Sequence, residues 1–357
     1  MSQIKSGSYV GNGTSQSITG LGFAPECVLI KGGANIAVIS STSMPSDSTK
    51  PLSGLTAPFA SAITSLDADG FSVGNGANVN TNATTYYYIS FKTGAEIAVG
   101  TYTGDGTDGR QITTGFLPEV VILWNEAGNP GGQVVWTTSQ YATNTSQSFV
   151  GTNTANLISA LNSTGFVVED ISNGVNTSGR VQWYLAIKAI AGMAKAIVYT
   201  GTGVDGTDVT GVGFVPDNAI IKRDNVTINA AIRLKDQAGD STFEIPAVGA
   251  AANFIQAFQT DGCDLGTSSR VNTNGGTYQA LFLKDGTTSN PQTATPGTLA
   301  LVTTGLAPTI RVQPAPVPGT ASLSITTFAP SVVLGQMLVP GTATLETTSF
   351  APAIAVA

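Results

Sequence analysis

The chain has 357 residues, of which 41% are hydrophobic and only 10% charged, with 42 glycines and no histidine. That hydrophobic share excludes a disordered chain, and the missing histidine removes the usual general base and the commonest zinc ligand. A formal net charge of −7 offers no positive track for phosphates, so no nucleic-acid partner is expected.

Val-, Ile- and Thr-rich runs alternate with Gly, Pro, Asn and Asp breaks, while Lys, Glu and Leu are scarce. The expected class is all-β. The N-terminal stretch MSQIKSGSYVGNG has no apolar segment of the secretory type. No apolar run is long enough to predict a membrane span. Two cysteines, Cys27 and Cys263, are too few for a disulfide scaffold. A single bridge between them stays open at this point, although the repeat alignment favours two buried thiols.

Three long repeats follow in chain order. Each opens with a Gly- and Tyr-containing run and reaches a GF-x-P corner. Copy one has Tyr9, Gly11, Gly13, Ile18, Phe23 and Pro25. Copy two has Tyr102, Gly104, Gly106, Ile112, Phe116 and Pro118, and copy three has Tyr199, Gly201, Gly203, Val209, Phe214 and Pro216. Each closes with a second signature at Gly70, Gly165 and Gly262, a polar loop, and an aromatic strand ending in Lys92, Lys188 or Lys284. The closing lysines are 96 residues apart in both steps.

A unit of about 95 residues with several short strands suits an antiparallel sandwich or barrel. At the corner, Gly permits an unusual φ, Phe turns inward, and Pro starts a strand where its missing N–H does little harm. The strand after it, with Val121, Ile122 and Leu123 in succession, reads as buried on both faces. Cys263 takes the place of Phe71 and Phe166 and reads as a small core hydrophobe. The expected modules are residues 1–93, 94–190 and 191–286.

After a polar linker at 287–295 the repeat shortens. Prolines 296, 318 and 340, and 308, 330 and 352, both step by 22 residues. Ala321, Leu323 and Ile325 alternate with polar neighbours, the pattern of a one-sided strand. A unit of this size cannot bury that face alone. The region 296–357 is therefore expected to anchor or oligomerise the chain, with a homotrimer as the favoured state.

No catalytic, cofactor-binding or metal-binding residues are assigned. The runs at 66–70 and 104–109 look faintly like calcium loops but lack the further ligands and closing Glu of an EF-hand, and they read as turn chemistry. The acids do not recur as a carboxylate pair across a cleft. A serine nucleophile would have no histidine beside it. Triplets such as Asn82-Ala83-Thr84 and Asn144-Thr145-Ser146 are compositional. The run Tyr86, Tyr87, Tyr88 alternates across a strand and reads as core plus rim.

The stretches YTGDGTDGRQITTGFLPEVVIL and LDADGFSVG with YYYISFK resemble the repeated β-modules of tailed-bacteriophage virion structural proteins, of the tail-fibre-like or capsid-decoration type. The C-terminal PGTATL and FAP repeats are similar to strand repeats at the ends of phage structural proteins. The resemblance implies a non-enzymatic virion-surface protein without cofactors, often homotrimeric, assembled in the bacterial cytoplasm beside other virion proteins. A tail-fibre-like role with a host-surface glycan as partner is the leading expectation. Capsid decoration is second and a glycan-depolymerising tailspike third. Many tail fibres begin with an anchoring domain or coiled coil, whereas here the first β-module starts by Tyr9, which points to anchoring by the C-terminal repeats or to a seat on the capsid.

Overall fold

The computed structural model describes residues 1–126, 134–171 and 174–288, and the backbone of 310–314 and 321–325. The chain is all-β, and residues Met1–Asn290 form one compact unit. The first repeat supplies β1 (Gln3–Val10), β2 (Gln16–Thr19), β3 (Cys27–Gly32), β4 (Val38–Ser41), β5 (Lys50–Pro51), β6 (Ile63–Asp67), β7 (Gly70–Val73) and β8 (Thr85–Lys92). The second supplies β9 (Ile97–Thr103), β10 (Arg110–Thr113), β11 (Val120–Asn125), β12 (Val135–Thr138), β13 (Ser146–Ser148), β14 (Asn153–Thr154), β15 (Ile158–Asn162), β16 (Gly165–Val168) and β17 (Val181–Ile187). The third supplies β18 (Ala194–Thr200), β19 (Thr207–Val209), β20 (Asn218–Arg223), β21 (Ala231–Arg233), β22 (Phe243–Glu244), β23 (Ile255–Gln259), β24 (Gly262–Leu265) and β25 (Thr277–Leu283), and β26 (Gly286–Thr287) follows.

Each repeat builds a large antiparallel sheet and a small one. The large sheets share one order: β1-β8-β3-β4-β5, β9-β17-β11-β12-β13-β14 and β18-β25-β20-β21-β22. The small sheets are β2-β7-β6, β10-β16-β15 and β19-β24-β23. A register shift recurs at one place in all three, between Ile63 and Ser65, Ile158 and Ala160, and Ile255 and Ala257.

Between the two sheets of each repeat lies a private core. Phe23, Val28, Phe71 and Tyr86 fill the first. Phe116, Val121, Phe166 and Tyr184 fill the second, and Phe214, Ile221, Cys263 and Tyr278 the third. A fourth cluster draws on all three repeats at once. It holds Leu29, Ile39 and Ile89 from the first, Ile122, Trp124 and Trp183 from the second, and Ile220, Ile232 and Leu281 from the third. This explains the apolar run after each corner. Val121 and Leu123 face the private core, while Val120 and Ile122 face the shared one, so the strand has no solvent side. Tyr86 and Tyr88 likewise enter the first private core, and Tyr87 packs on the shared one beside Phe243. Tyr87 stays partly exposed, so the run is core plus rim.

The modules meet head to tail around this shared core. The first meets the third, where the Ala37 amide donates to Ile245 O at 2.9 Å, and the third meets the second, where the Ala230 amide donates to Phe149 O at 2.7 Å. The second meets the first, where Trp183 Nε1 donates to Ser43 O at 2.9 Å. The ring closes at the chain ends. β26 pairs with β1 through Gln3–Thr287 and Ile4–Gly286, and the Thr288 amide donates to Ser2 O at 2.9 Å. Burying one face of every large sheet this way supplies a hydrophobic contribution that no separate sandwich would have.

Cys27 lies in the shared core and Cys263 in the third private core, both as free, buried thiols. Burial pushes both thiols above their usual range, which leaves them unreactive.

The second unit, Pro291–Ala357, is described only at β27 (Ile310–Pro314) and β28 (Ala321–Ile325). These pair antiparallel, with Val312 opposite Leu323. The strand expected at 321–325 is present, and the rest of the 22-residue repeat pattern lies outside the described residues.

Candidate functional site

The end of each module opposite the closing lysine is built on one recurring device. Val79, Val175 and Val271 precede Asn80, Asn176 and Asn272, each 96 residues from the next. All three asparagines are fully buried. Tyr9, Tyr102 and Tyr199 donate their hydroxyls to the three valine carbonyls, each at 2.7 Å. Each asparagine then ties the Gly-containing turn to the rest of its module. Asn80 Nδ2 donates to Gly74 O at 2.7 Å and to Thr14 O, and its Oδ1 accepts the Asn12 amide. Asn272 Nδ2 donates to Val204 O and Gly266 O, and its Oδ1 accepts the Thr202 amide. A buried amide with every lone pair and proton used fixes a loop firmly.

The acid-glycine stretches that resemble calcium loops are turn clamps. Asp69 accepts the Gly20 and Gly22 amides, and Asp261 accepts those of Gly211 and Gly213. The Gly213 and Gly211 amides hold the Asp261 carboxyl below its usual range. The second copy has a corner one residue shorter, with Thr164 in place of the acid; there the Thr164 carbonyl accepts the Thr114 and Gly115 amides of the corner, and Asn162 accepts the Thr164 and Gly165 amides of its own hairpin. In the run at 104–109, Asp105 accepts from Thr107 and Asn176 and pairs with Arg110 at 3.3 Å. Among the described residues, no group of three or more His, Cys, Asp or Glu is placed to hold a metal.

At this loop end the modules diverge in a way that opens space. A cleft of about 340 Å³ in the first module is lined by Gly13, Thr14, Ser15, Ser61, Thr64, Gly74 and Asn75. Asn80 joins its two walls, the 13–15 turn and Gly74. Gly74 is required there, because a Cβ would stand 2.6 Å from Ser61 O.

The equivalent space is bridged in the other two modules. In the second, Glu169 replaces Gly74; it accepts the Gly109 amide and the Ser159 hydroxyl, while Asp108 accepts the Asp170 amide. In the third, Gln256 replaces Thr64 and donates to Asp205, the counterpart of Ser15, at 2.9 Å. The first turn is also one residue shorter, lacking the glycine found at 109 and 206. A second, smaller cleft of about 170 Å³ lies in the second module beside Tyr141 and Ser159.

Residues 2–99 match a family described as a domain of unknown function, DUF7483. The matched span holds the whole first module, its cleft included, and the start of β9. No curated protein matches the chain. Among the described residues, no helix is long and apolar enough to cross a membrane.

Neither the buried asparagines nor the cleft is assigned by the sequence reading above. The asparagines carry a legible signal, a Val-Asn-Thr triplet at 79–81, 175–177 and 271–273. The cleft's signal is subtler: the shortened first turn, and Ser15 and Thr64 where the third copy has an acid and an amide.

Proposed function

We propose that this chain is a non-enzymatic structural protein of a tailed-bacteriophage particle, displayed on the particle surface in a tail-fibre-like role with host-surface contact. The observation that carries the reading is the closed ring: three copies of one β-module in one chain, wrapped on a shared apolar core. Such a body is a rigid scaffold that holds polar turns outward, which suits display. The sequence resemblance points the same way. Other virion proteins are its partners, and the C-terminal repeats associate the chain as a homotrimer. The body has already buried its own large sheets, so self-association is assigned to the repeats.

Capsid decoration is the second reading, favoured by the hydrogen bond between Ser2 and Thr288. The start and the end of the body lie together, as in a knob held at one point. Immunogold labelling of purified particles separates the two: gold at the tail supports the fibre reading, gold over the head supports decoration, and particles without gold refute both. Release of reducing sugar from host polysaccharide would refute the non-enzymatic assignment.

A further inference from the structure

We infer that the open cleft of the first module is a binding site for an uncharged sugar unit. This rests on reading the chain as a surface-displayed protein. Among the described residues, the side chains of Ser15, Thr64 and Asn75 have no hydrogen-bond partner, whereas at the places of Ser15 and Thr64 the second module has Asp108 and Ser159, bonded to the Asp170 amide and to Glu169, and the third has Asp205 and Gln256, bonded to each other.

Hydroxyls and a carboxamide both donate and accept. An apolar ligand would leave all three unpaired on desolvation. A charged ligand would find no counter-charge among the lining residues. A neutral polyol meets the set, since each of its hydroxyls also donates and accepts. The volume, about 340 Å³, lies at the small end of ligand sites. One sugar ring with its substituents fits that scale better than an extended chain.

The walls are also preorganised. Buried Asn80 fixes the 13–15 turn against Gly74, so binding need not order the backbone. Because the cleft is shallow and its groups are partly hydrated, single-site affinity falls in the millimolar range, and multiple copies on a particle raise the effective strength.

The test is saturation-transfer NMR on the full chain with glucose, galactose and N-acetylglucosamine, each at millimolar concentration. Transfer to at least one sugar is expected. The Ser15→Asp/Thr64→Gln double variant writes the bridge of the third module into the first, and its binding falls by about tenfold or more at an unchanged melting temperature. Asn75→Ala, at an exposed position, weakens binding without loss of fold, and decides the matter if the double variant misfolds. No transfer from the parent chain, or equal transfer from the variants, overturns the inference. If binding fails while labelled particles still carry the chain, the structural role stands and the cleft assignment falls. Binding by a chain absent from particles has the reverse meaning.

Discussion

Leu281 and Phe282 are neighbours on β25 and face opposite ways. Phe282 enters the core of the third module and Leu281 the core shared by all three. Both are essentially inaccessible. If the modules were separate sandwiches, Leu281 would lie on an outer sheet face, and Leu281→Ala would change stability by about 0.5 kcal/mol or less. In the ring it leaves a cavity in a packed interior, and the cost rises to about 3 kcal/mol. Urea unfolding followed by tryptophan fluorescence reads this directly. All three tryptophans, Trp124, Trp136 and Trp183, lie in the second module and in the shared core. A substitution in the third module is thus reported by probes in the second. The fluorescence midpoint is expected to fall by the full amount with an unchanged slope. A loss below about 1 kcal/mol, or a tryptophan transition unmoved while the third module melts early, would refute the shared core.

Two further outcomes follow from buried polar groups. Burial pulls Lys31, Lys50 and Lys222 from 10.5 down to about 8. Between those values the unfolded chain binds more protons than the native one, so stability rises with pH. Burial raises Tyr9, Tyr102 and Tyr199 instead, and their contribution is lost above pH 10. Melting temperature is therefore expected to climb from pH 8 to about pH 10 and then fall, with the climb reduced in Lys222→Met; a flat profile contradicts it. Gln182 is fully buried with neither amide atom hydrogen-bonded among the described residues, at the position of Tyr86 and Tyr278, whose hydroxyls donate to Ala77 O and Ser269 O. Gln182→Met keeps the shape and removes the unpaired atoms, and a gain of about 1 kcal/mol is expected in urea unfolding. A loss of similar size would show that Gln182 has a polar partner.

The repeat period, the corner and the all-β class were legible because each is written locally. Phe23, Phe116 and Phe214 must turn inward wherever the corner occurs, and the glycines mark its turns. The ring was not legible, although its trace was present. The apolar succession at Val120 to Trp124 demands cover on two sides, but a strand cannot say which segment provides the second cover. Lys31 shows why. A lysine in a strand reads as solvent-facing, yet here it crosses to the third module and donates to Pro246 O and Val248 O at 2.9 and 3.1 Å, above the Phe243 ring. At the equivalent places the second module has Trp124 and the first has Lys50 opposite Ile39 in the register that sets Phe243 opposite Ile232. Lys31 thus faces another module, which only the assembled ring reveals. The cleft was hidden for a related reason. It depends on bridges that two modules form and one does not, and a bridge between residues about 50 apart in the sequence leaves no local mark.

The closed ring is tested most directly where it closes. Gln3 and Thr287 are register partners, and their side chains are hydrogen-bonded at 2.9 Å on an accessible edge. Adjacent strands lie about 5 Å apart, within disulfide reach. In Gln3→Cys/Thr287→Cys, mild oxidation is expected to link the two ends of the body, seen as a faster band on a non-reducing gel and as one joined peptide by mass. A folded double variant whose added cysteines stay free under the same oxidant would show that the first and third modules do not meet, and would contradict the ring.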